Sequence, residues 1–243
     1  MENHLDHLQE FTDILSTYRV SKRAQQSLKS IKLVLLVAPS ASGRNTLINK
    51  LLATNHYNFI VSDTTRKPRI NNDILEQNGR EYWFRSEEDV LGDLKKGEFL
   101  EAEVIHNQQV SGISIRELEK ASLNHKISVT DVDIGGIQQI LKAKPDVTAI
   151  LVLPPSFKEW QRRLSTRGHL HDNEYYRRMQ TANKIFQEAI AMKNLLIVVN
   201  DSLEHATKQV DDIVKGMIDL KAQKEARELI KTLLKKTQEA LAK

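Results

Sequence analysis

The segment Ile31-Lys32-Leu33-Val34-Leu35-Leu36-Val37 is almost wholly apolar, and a loop of small residues follows it at once. Such a run suits a strand buried on both faces, as in a parallel sheet. The loop Ala38-Pro39-Ser40-Ala41-Ser42-Gly43-Arg44-Asn45-Thr46 then gives way to Leu47, Ile48, Leu51 and Leu52 at helical spacing. Strand, small-residue turn and helix in that order are the setting of a phosphate loop. There, backbone N–H groups and the positive end of the helix dipole hold an anion. Against the pattern G-x-x-x-x-G-K-[ST], only Gly43 matches. Ala38 stands for the first glycine, Arg44 for the lysine and Asn45 for the hydroxyl residue that binds magnesium. Taken alone, the stretch fits a plain structural turn better than a phosphate site. Arg44 still offers positive charge to β- and γ-phosphates, although a planar guanidinium is not a compact ammonium. Asn45 has a carbonyl oxygen and Thr46 a hydroxyl to offer to magnesium.

Further short apolar runs occur at Phe59 to Val61, Ile127 to Val132, Val147 to Leu153 and Leu195 to Val199, with polar helical stretches between most of them. This alternation predicts an α/β fold, a parallel sheet flanked by helices. The interval from Thr64 to Gly112 breaks the rhythm with Pro68, the loop-like Ile70-Asn71-Asn72-Asp73, Gly79 and the aromatic cluster Tyr82-Trp83-Phe84. It reads as an inserted lobe of short strands with a helix near Glu87 to Lys96. Residues 4 to 30 read as helix, with Leu5, Leu8, Phe11 and Leu15 at helical spacing. From Leu203 the chain reads as helical to its end.

Composition excludes several classes. With no cysteine among 243 residues, disulfides, thiolate metal sites and cysteine nucleophiles are ruled out. The net charge of +4 is accounted for by residues 221–243, which hold seven basic and three acidic side chains. A neutral body with a basic tail argues against DNA or RNA as partner, and the tail reads as a solvated helix face. The first residues, Met1-Glu2-Asn3-His4-Leu5-Asp6, do not form a secretory signal, and no apolar run approaches the roughly 20 residues of a membrane span. A cytoplasmic protein with no membrane partner is the expectation. His169 and His171 have no third ligand at a familiar spacing, so they do not read as a metal pair.

Several segments, in order, resemble guanylate kinases. These are Ser62-Asp63-Thr64-Thr65-Arg66-Lys67-Pro68-Arg69, Tyr82-Trp83-Phe84 and Gly97-Glu98-Phe99-Leu100-Glu101, followed by Asp131-Val132-Asp133, Leu153-Pro154-Pro155-Ser156, Arg163-Leu164-Ser165-Thr166-Arg167-Gly168 and Val198-Val199-Asn200-Asp201. The match runs roughly from Lys32 to Lys215, and the T-T-R-x-P-R block is its most specific piece. The resemblance implies a P-loop nucleoside monophosphate kinase domain at 31–220, with a GMP-binding lobe at 64–112 and a lid at 160–180. A helical extension at 1–30 and a basic helical tail at 221–243 lie outside that domain.

What the resemblance implies for single residues makes chemical sense. Arg66 and Arg69 would clamp the acceptor phosphate, since guanidinium forks match phosphate oxygens. Tyr82 would add a hydrogen bond. Glu101 would accept from guanine N1–H and the amino group, and Ser62 would touch the base carbonyl. Gly112 would belong to the same acceptor site, with Asp131 and Asp133 near the guanine amino group and the magnesium shell. Ser40 to Thr46 would bind ATP. Arg44, with the lid arginines Arg163, Arg167 and Arg178, would neutralise the transferring phosphoryl group. Magnesium would be the cofactor, sought at Asn45, Thr46 and Asp131 but firmly assigned to none. Taken singly, each arginine also fits a solvent-facing helix position, Tyr82 a packing role and Glu101 a surface carboxylate.

Two departures stand against the family pattern: the phosphate loop, and Ser111-Gly112-Ile113 where tyrosine-glycine-serine or -threonine is usual. An insertion at Ile70 to Asn78 also lengthens the loop after Arg69. The expected reaction is ATP and GMP to ADP and GDP. The alternative is a catalytically weak or inactive module that binds nucleotide or protein, and a kinase for another nucleoside monophosphate comes third. Self-association or a protein partner, if either occurs, is expected through the helical ends.

Overall fold

The computed structural model describes residues 4–71, 74–166 and 172–242. In chain order, α1 (Leu8–Thr17) and α2 (Lys22–Leu28) precede β1 (Leu33–Val37) and α3 (Arg44–Ala53). Next come β2 (Tyr57–Phe59), β3 (Asp63–Thr64), β4 (Ile70–Asn71), β5 (Ile74–Leu75), β6 (Trp83–Phe84), α4 (Glu87–Lys95), β7 (Phe99–Ile105) and β8 (Gln109–Ser114). Then follow α5 (Ile115–Ser122), β9 (Ile127–Asp131), α6 (Ile134–Ala143), β10 (Thr148–Leu153), α7 (Phe157–Ser165), α8 (Asp172–Ala191), β11 (Leu196–Val199), α9 (Leu203–Val214) and α10 (Leu220–Leu241).

The fold is α/β with a central sheet ordered β11-β10-β1-β9-β2 and a smaller sheet ordered β6-β3-β8-β7. The chain divides into two compact units, one holding the stretch up to Leu33 with Asn58–Thr130 and Gly135–Val147, the other Val34–Tyr57, Asp131–Ile134 and the chain from Thr148 onward. In the second unit β10 runs parallel to β1, with Leu36 opposite Ile150, and parallel to β11, with Leu151 opposite Ile197. All five residues of β1 are buried, which explains why the strand carries no alternation. In the first unit Ile60 N–H donates to the Val129 carbonyl at 2.9 Å, and Ser128 N–H donates to that of Lys32 at 2.9 Å.

The apolar runs of the sequence become β1, β2, β9, β10 and β11, with shifts of one or two residues at their ends. Residues 4 to 30 differ from expectation: they form two helices rather than one. The break falls at Tyr18 to Ser21, where Ser21 adopts an extended backbone and its hydroxyl accepts from Ala24 N–H, capping α2. The C-terminal stretch also divides. Gly216, at φ +80°, ends α9, its N–H donating to the Ile213 carbonyl and that of Met217 to Asp212. Asp219 then caps α10 by accepting from Lys221 and Ala222. The loop-like stretch after Arg69 holds the antiparallel pair β4–β5, Ile70 opposite Leu75; Asn72 and Asp73 lie outside the described residues.

α1 packs on the smaller sheet through Phe11, buried in a cluster with Val90, Leu91, Leu94, Phe99 and Ala102. Its C-terminal counterpart α10 lies against α8 and β11. Gln223 completes the edge of β11, accepting from Ile197 N–H at 2.9 Å and donating to the Ile197 carbonyl at 2.8 Å. A side-chain amide there occupies backbone groups that would otherwise invite another strand. No helix among the described residues is long and apolar enough to cross a membrane.

Candidate functional site

The phosphate-loop candidates lie in the second unit, between β1 and α3. Two side chains hold the loop's carbonyls: Trp160 Nε1 donates to Ser40 at 2.7 Å and Asn200 Nδ2 to Ser42 at 2.8 Å. Gly43 stands at φ +87°, and a Cβ there would lie 2.2 Å from Asn200 Nδ2, so both conformation and space require glycine. Ala41 adopts φ +65°, a left-handed conformation that costs an alanine roughly 1 kcal/mol. The loop therefore keeps a tight, left-handed path despite its departures from the sequence pattern.

Arg44 begins α3, and its Nη2 sits 2.5 Å from Asp131 Oδ2 at the end of β9. The positive charge at the loop is thus already opposed by a carboxylate. Asn45 and Thr46 are exposed on the first turn of α3, and Asp133 is exposed beyond β9. Among the arginines expected in a lid, Arg163 donates through Nε to Glu159 at 2.8 Å and through Nη2 to the Asn200 carbonyl at 3.1 Å. Hydrogen bonds from Arg162 first, then Arg163, lower the Glu159 carboxyl to about 2. Arg178 donates through Nε to Glu174 at 2.8 Å. Arg167, with His169 and His171, lies outside the described residues.

A cleft of about 330 Å³ opens beside the loop, lined by Ala41, Gly43, Thr46, Arg163, Thr166 and Asn200 among others. Its size is in the range of small-molecule sites. Among the described residues of this unit five buried polar atoms have no protein partner: the amide oxygens Asn183 Oδ1 and Gln209 Oε1, and three hydroxyl or guanidinium groups, Ser42 Oγ, Arg44 Nε and Arg178 Nη1. Buried donors are almost always satisfied, and Ser42 Oγ and Arg44 Nε, both at the loop, are donors that an anionic ligand could engage. Among the described residues no three His, Asp or Glu side chains gather as a metal cage. The donor set suits a cation carried in on phosphate oxygens, with one or two protein oxygens added.

The acceptor candidates Ser62, Arg66, Arg69, Tyr82, Glu101 and Gly112 all lie in the first unit. Arg66 is buried and held from two sides. Its Nη1 and Nη2 meet the two Glu76 carboxylate oxygens at 2.5 and 2.9 Å, and Nη1 also reaches the Lys67 carbonyl at 3.0 Å. The Tyr82 ring lies 4.8 Å and the Phe84 ring 5.5 Å from its Cζ. Glu76 also accepts from Arg69 N–H at 2.8 Å, so one carboxylate organises both arginines of the T-T-R-x-P-R block. The Arg66 hydrogen bonds, followed by the Arg69 amide, hold the Glu76 carboxyl below its usual range against the opposing effect of burial.

Glu101 stands on β7, its Oε2 3.6 Å from where a Cβ on Gly136 would lie. Gly112 has a packing reason of its own, since a Cβ there would come within 2.4 Å of the Glu101 carbonyl. Ser111 donates to the Thr64 hydroxyl at 2.8 Å, and Ile113 is fully buried. The backbone carbonyl of Ser62 accepts from Trp83 N–H.

Sequence reasoning missed Glu76, Asp63, Asn200 and Tyr18. Asp63 is 1% exposed and meets Arg85 at 2.7 Å and Arg116 at 2.9 Å, yet burial still outweighs the two guanidinium groups and raises its carboxyl. A usable signal existed for Asp63 and Asn200, which both sit inside the quoted family segments. None existed for Glu76, which lies within the insertion, or for Tyr18, whose partner is main chain.

A family model described as "Guanylate kinase" matches residues 30–217. The guanylate kinase of Porphyromonas gingivalis is 35% identical over 190 residues, covering 77% of this chain and 98% of that protein. That of Myxococcus xanthus is 35% identical over 184 residues, covering 75% and 85%. The crystal structure of guanylate kinase from Anaplasma phagocytophilum is similar in fold, with a TM-score of 0.56 at 23% identity, covering 85% of this chain and 97% of that one.

Proposed function

The chain belongs to the guanylate kinase family, and on that premise we propose that it transfers the γ-phosphoryl group of ATP to GMP, yielding ADP and GDP. The observation that carries this reading is the preorganised Arg66. Its hydrogen bonds to Glu76 and Lys67 use three of five N–H donors, leaving the remainder to Tyr82 and to an acceptor phosphate. A guanidinium fixed before the ligand arrives loses little freedom on binding it. Arg69 supplies the second fork, and Glu101 with Ser62 reads guanine. A site built on paired hydrogen bonds can reject a base lacking the matching donors by about 10⁴-fold.

On the donor side, the loop amides, Ser42 Oγ and Arg44 form the phosphate cradle. ATP phosphates would draw the Arg44 guanidinium away from Asp131, leaving that carboxylate to the acceptor amino group or to the shell of the metal. Magnesium, when bound, neutralises charge on the donor phosphates, and Thr46, Asn45 and Asp131 are the residues to hold it. Arg163, Arg167 and Arg178 stabilise the charge that spreads over the transferring group. Transfer of this kind rests on positioning and neutralisation rather than covalent chemistry.

The alternative is a module that binds nucleotide and catalyses little, and the Arg44–Asp131 pair is the place where it would differ from an active kinase. Chromatographic measurement of products from GMP, ATP and magnesium separates the two. ADP and GDP in equal amounts support the kinase. GMP binding by calorimetry without any GDP would leave only the binding module.

A further inference from the structure

The segment before residue 30 lies outside the family match, yet besides packing Phe11 on the lobe it binds the main chain of Gly97-Glu98-Phe99. Tyr18 makes both bonds that a peptide group of Phe99 offers to the outside. Its hydroxyl donates to the Phe99 carbonyl at 2.7 Å and accepts from the Phe99 N–H at 2.7 Å. Ser21 N–H donates to the Gly97 carbonyl at 2.9 Å. Arg23 pairs with Glu98 and, at 2.9 Å, with Glu119. Gly97 stands at φ +71°, and a Cβ there would come within 2.7 Å of Ser21 N and 2.9 Å of the Arg19 carbonyl. That glycine is shaped to receive this segment.

Phe99 is the first residue of β7, an edge strand of its sheet, so its outward N–H and C=O have no strand to pair with. The register of β7 against β8 shifts between Phe99, opposite Ser114, and Glu101, opposite Ile113. An irregularity of this kind re-aims the side chain that follows it, here Glu101. Burial pushes the Tyr18 phenol up to about 12, so it remains a donor at any working pH.

We infer that Tyr18 is a positioning residue for base selection, holding Phe99 at the β7 irregularity and through it the carboxylate of Glu101. This rests on the reading of Glu101 as the group that recognises guanine. It assigns the N-terminal segment a task within the reaction. Neither a solvated appendage nor a docking arm would need two hydrogen bonds to one buried residue.

The experiment compares Tyr18→Phe, Phe11→Leu and Glu101→Gln in the full chain, each measured for kcat and KM with GMP and with AMP, for GMP affinity by calorimetry and for Tm. Tyr18→Phe keeps the ring but leaves both Phe99 groups without their partner. It should raise KM and Kd for GMP about tenfold, with kcat within twofold, and lower the preference for GMP over AMP by a similar factor. Phe11→Leu loosens the same contact between α1 and the lobe without touching the clamp. It should lower Tm while leaving KM and the preference unchanged. The inference fails if Tyr18→Phe leaves KM and preference at wild-type values while Glu101→Gln lowers the preference. It also fails if Phe11→Leu reproduces the kinetic change, because general loosening would then suffice. Should Glu101→Gln leave the preference intact, the base is read elsewhere, and both the assignment of Glu101 and the inference on Tyr18 fall.

Discussion

Arg66 in the acceptor lobe and Arg44 in the phosphate loop each face a carboxylate, but the two pairs differ in depth and in surroundings. Arg66 and Glu76 are both only 7% exposed; two further hydrogen bonds tie the pair to main chain, and two aromatic rings flank the guanidinium. Arg44 is 24% exposed and Asp131 37%, and Arg44 leaves a buried Nε without a partner. A deeply buried charge must be satisfied in the folded state, so its geometry is fixed before any ligand arrives. A pair reached by water exchanges partners at little cost. On the proposed assignment of these two sites, the difference makes the acceptor side one built in advance and the donor side one that its ligand completes.

Substitutions can break that contrast or sharpen it. The largest effect should come from Arg66→Ala, which removes the fixed fork. We expect kcat/KM for GMP to fall by 10³-fold or more with ATP binding, followed by calorimetry, nearly unchanged. Equal loss of both would mean that Arg66 supports the fold rather than the acceptor. Next in size is Glu76→Ala, which leaves a buried guanidinium without its partner. A stability loss of about 3–5 kcal/mol is expected from denaturant unfolding. The pH dependence follows from the lowered Glu76 carboxyl: its stabilisation is full above the unfolded-state pKa and is lost as pH falls through the depressed folded-state value. Glu76→Gln should flatten that acid limb; an unchanged limb would place the titration on another carboxylate. Smaller still is Gln223→Ala, which uncovers the edge of β11. We expect a loss of roughly 1–2 kcal/mol with no change in KM for either nucleotide. A kinetic effect would show that α10 acts on the reaction and not only on the sheet.

The fold was legible where hydrophobic patterning is strong. Ile31 to Val37, Val147 to Leu153 and Leu195 to Val199 announce strands, the first of them buried on both faces, and all three strands are found. The breaks at Tyr18 to Ser21 and at Gly216 were not read, because each depends on a cap rather than on periodicity. The candidate residues Arg66, Arg69, Tyr82 and Glu101 were read in family order, and all four fall in one compact unit. What holds them was not. Glu76 lies within an insertion whose two short strands bring its carboxylate back to Arg66 and Arg69, a return that spacing alone does not reveal. Tyr18 binds a backbone group 81 residues away, and main chain carries no signal in a sequence. The arginine that replaces the lysine is visible at once, but its pairing with Asp131 is visible only in the structure.

The most direct test compares initial rates of GDP formation by the wild-type chain and by Arg44→Ala, with GMP and ATP varied in turn and magnesium present. If the donor side is completed by Arg44 on ligand binding, the wild type turns over. The variant then loses about 10²-fold in kcat while KM for GMP stays within twofold. Equal rates in both proteins would show that Arg44 does not serve the donor phosphates. A KM for GMP that rises with the loss of Arg44 would contradict the separation of a prebuilt acceptor from an adaptable donor.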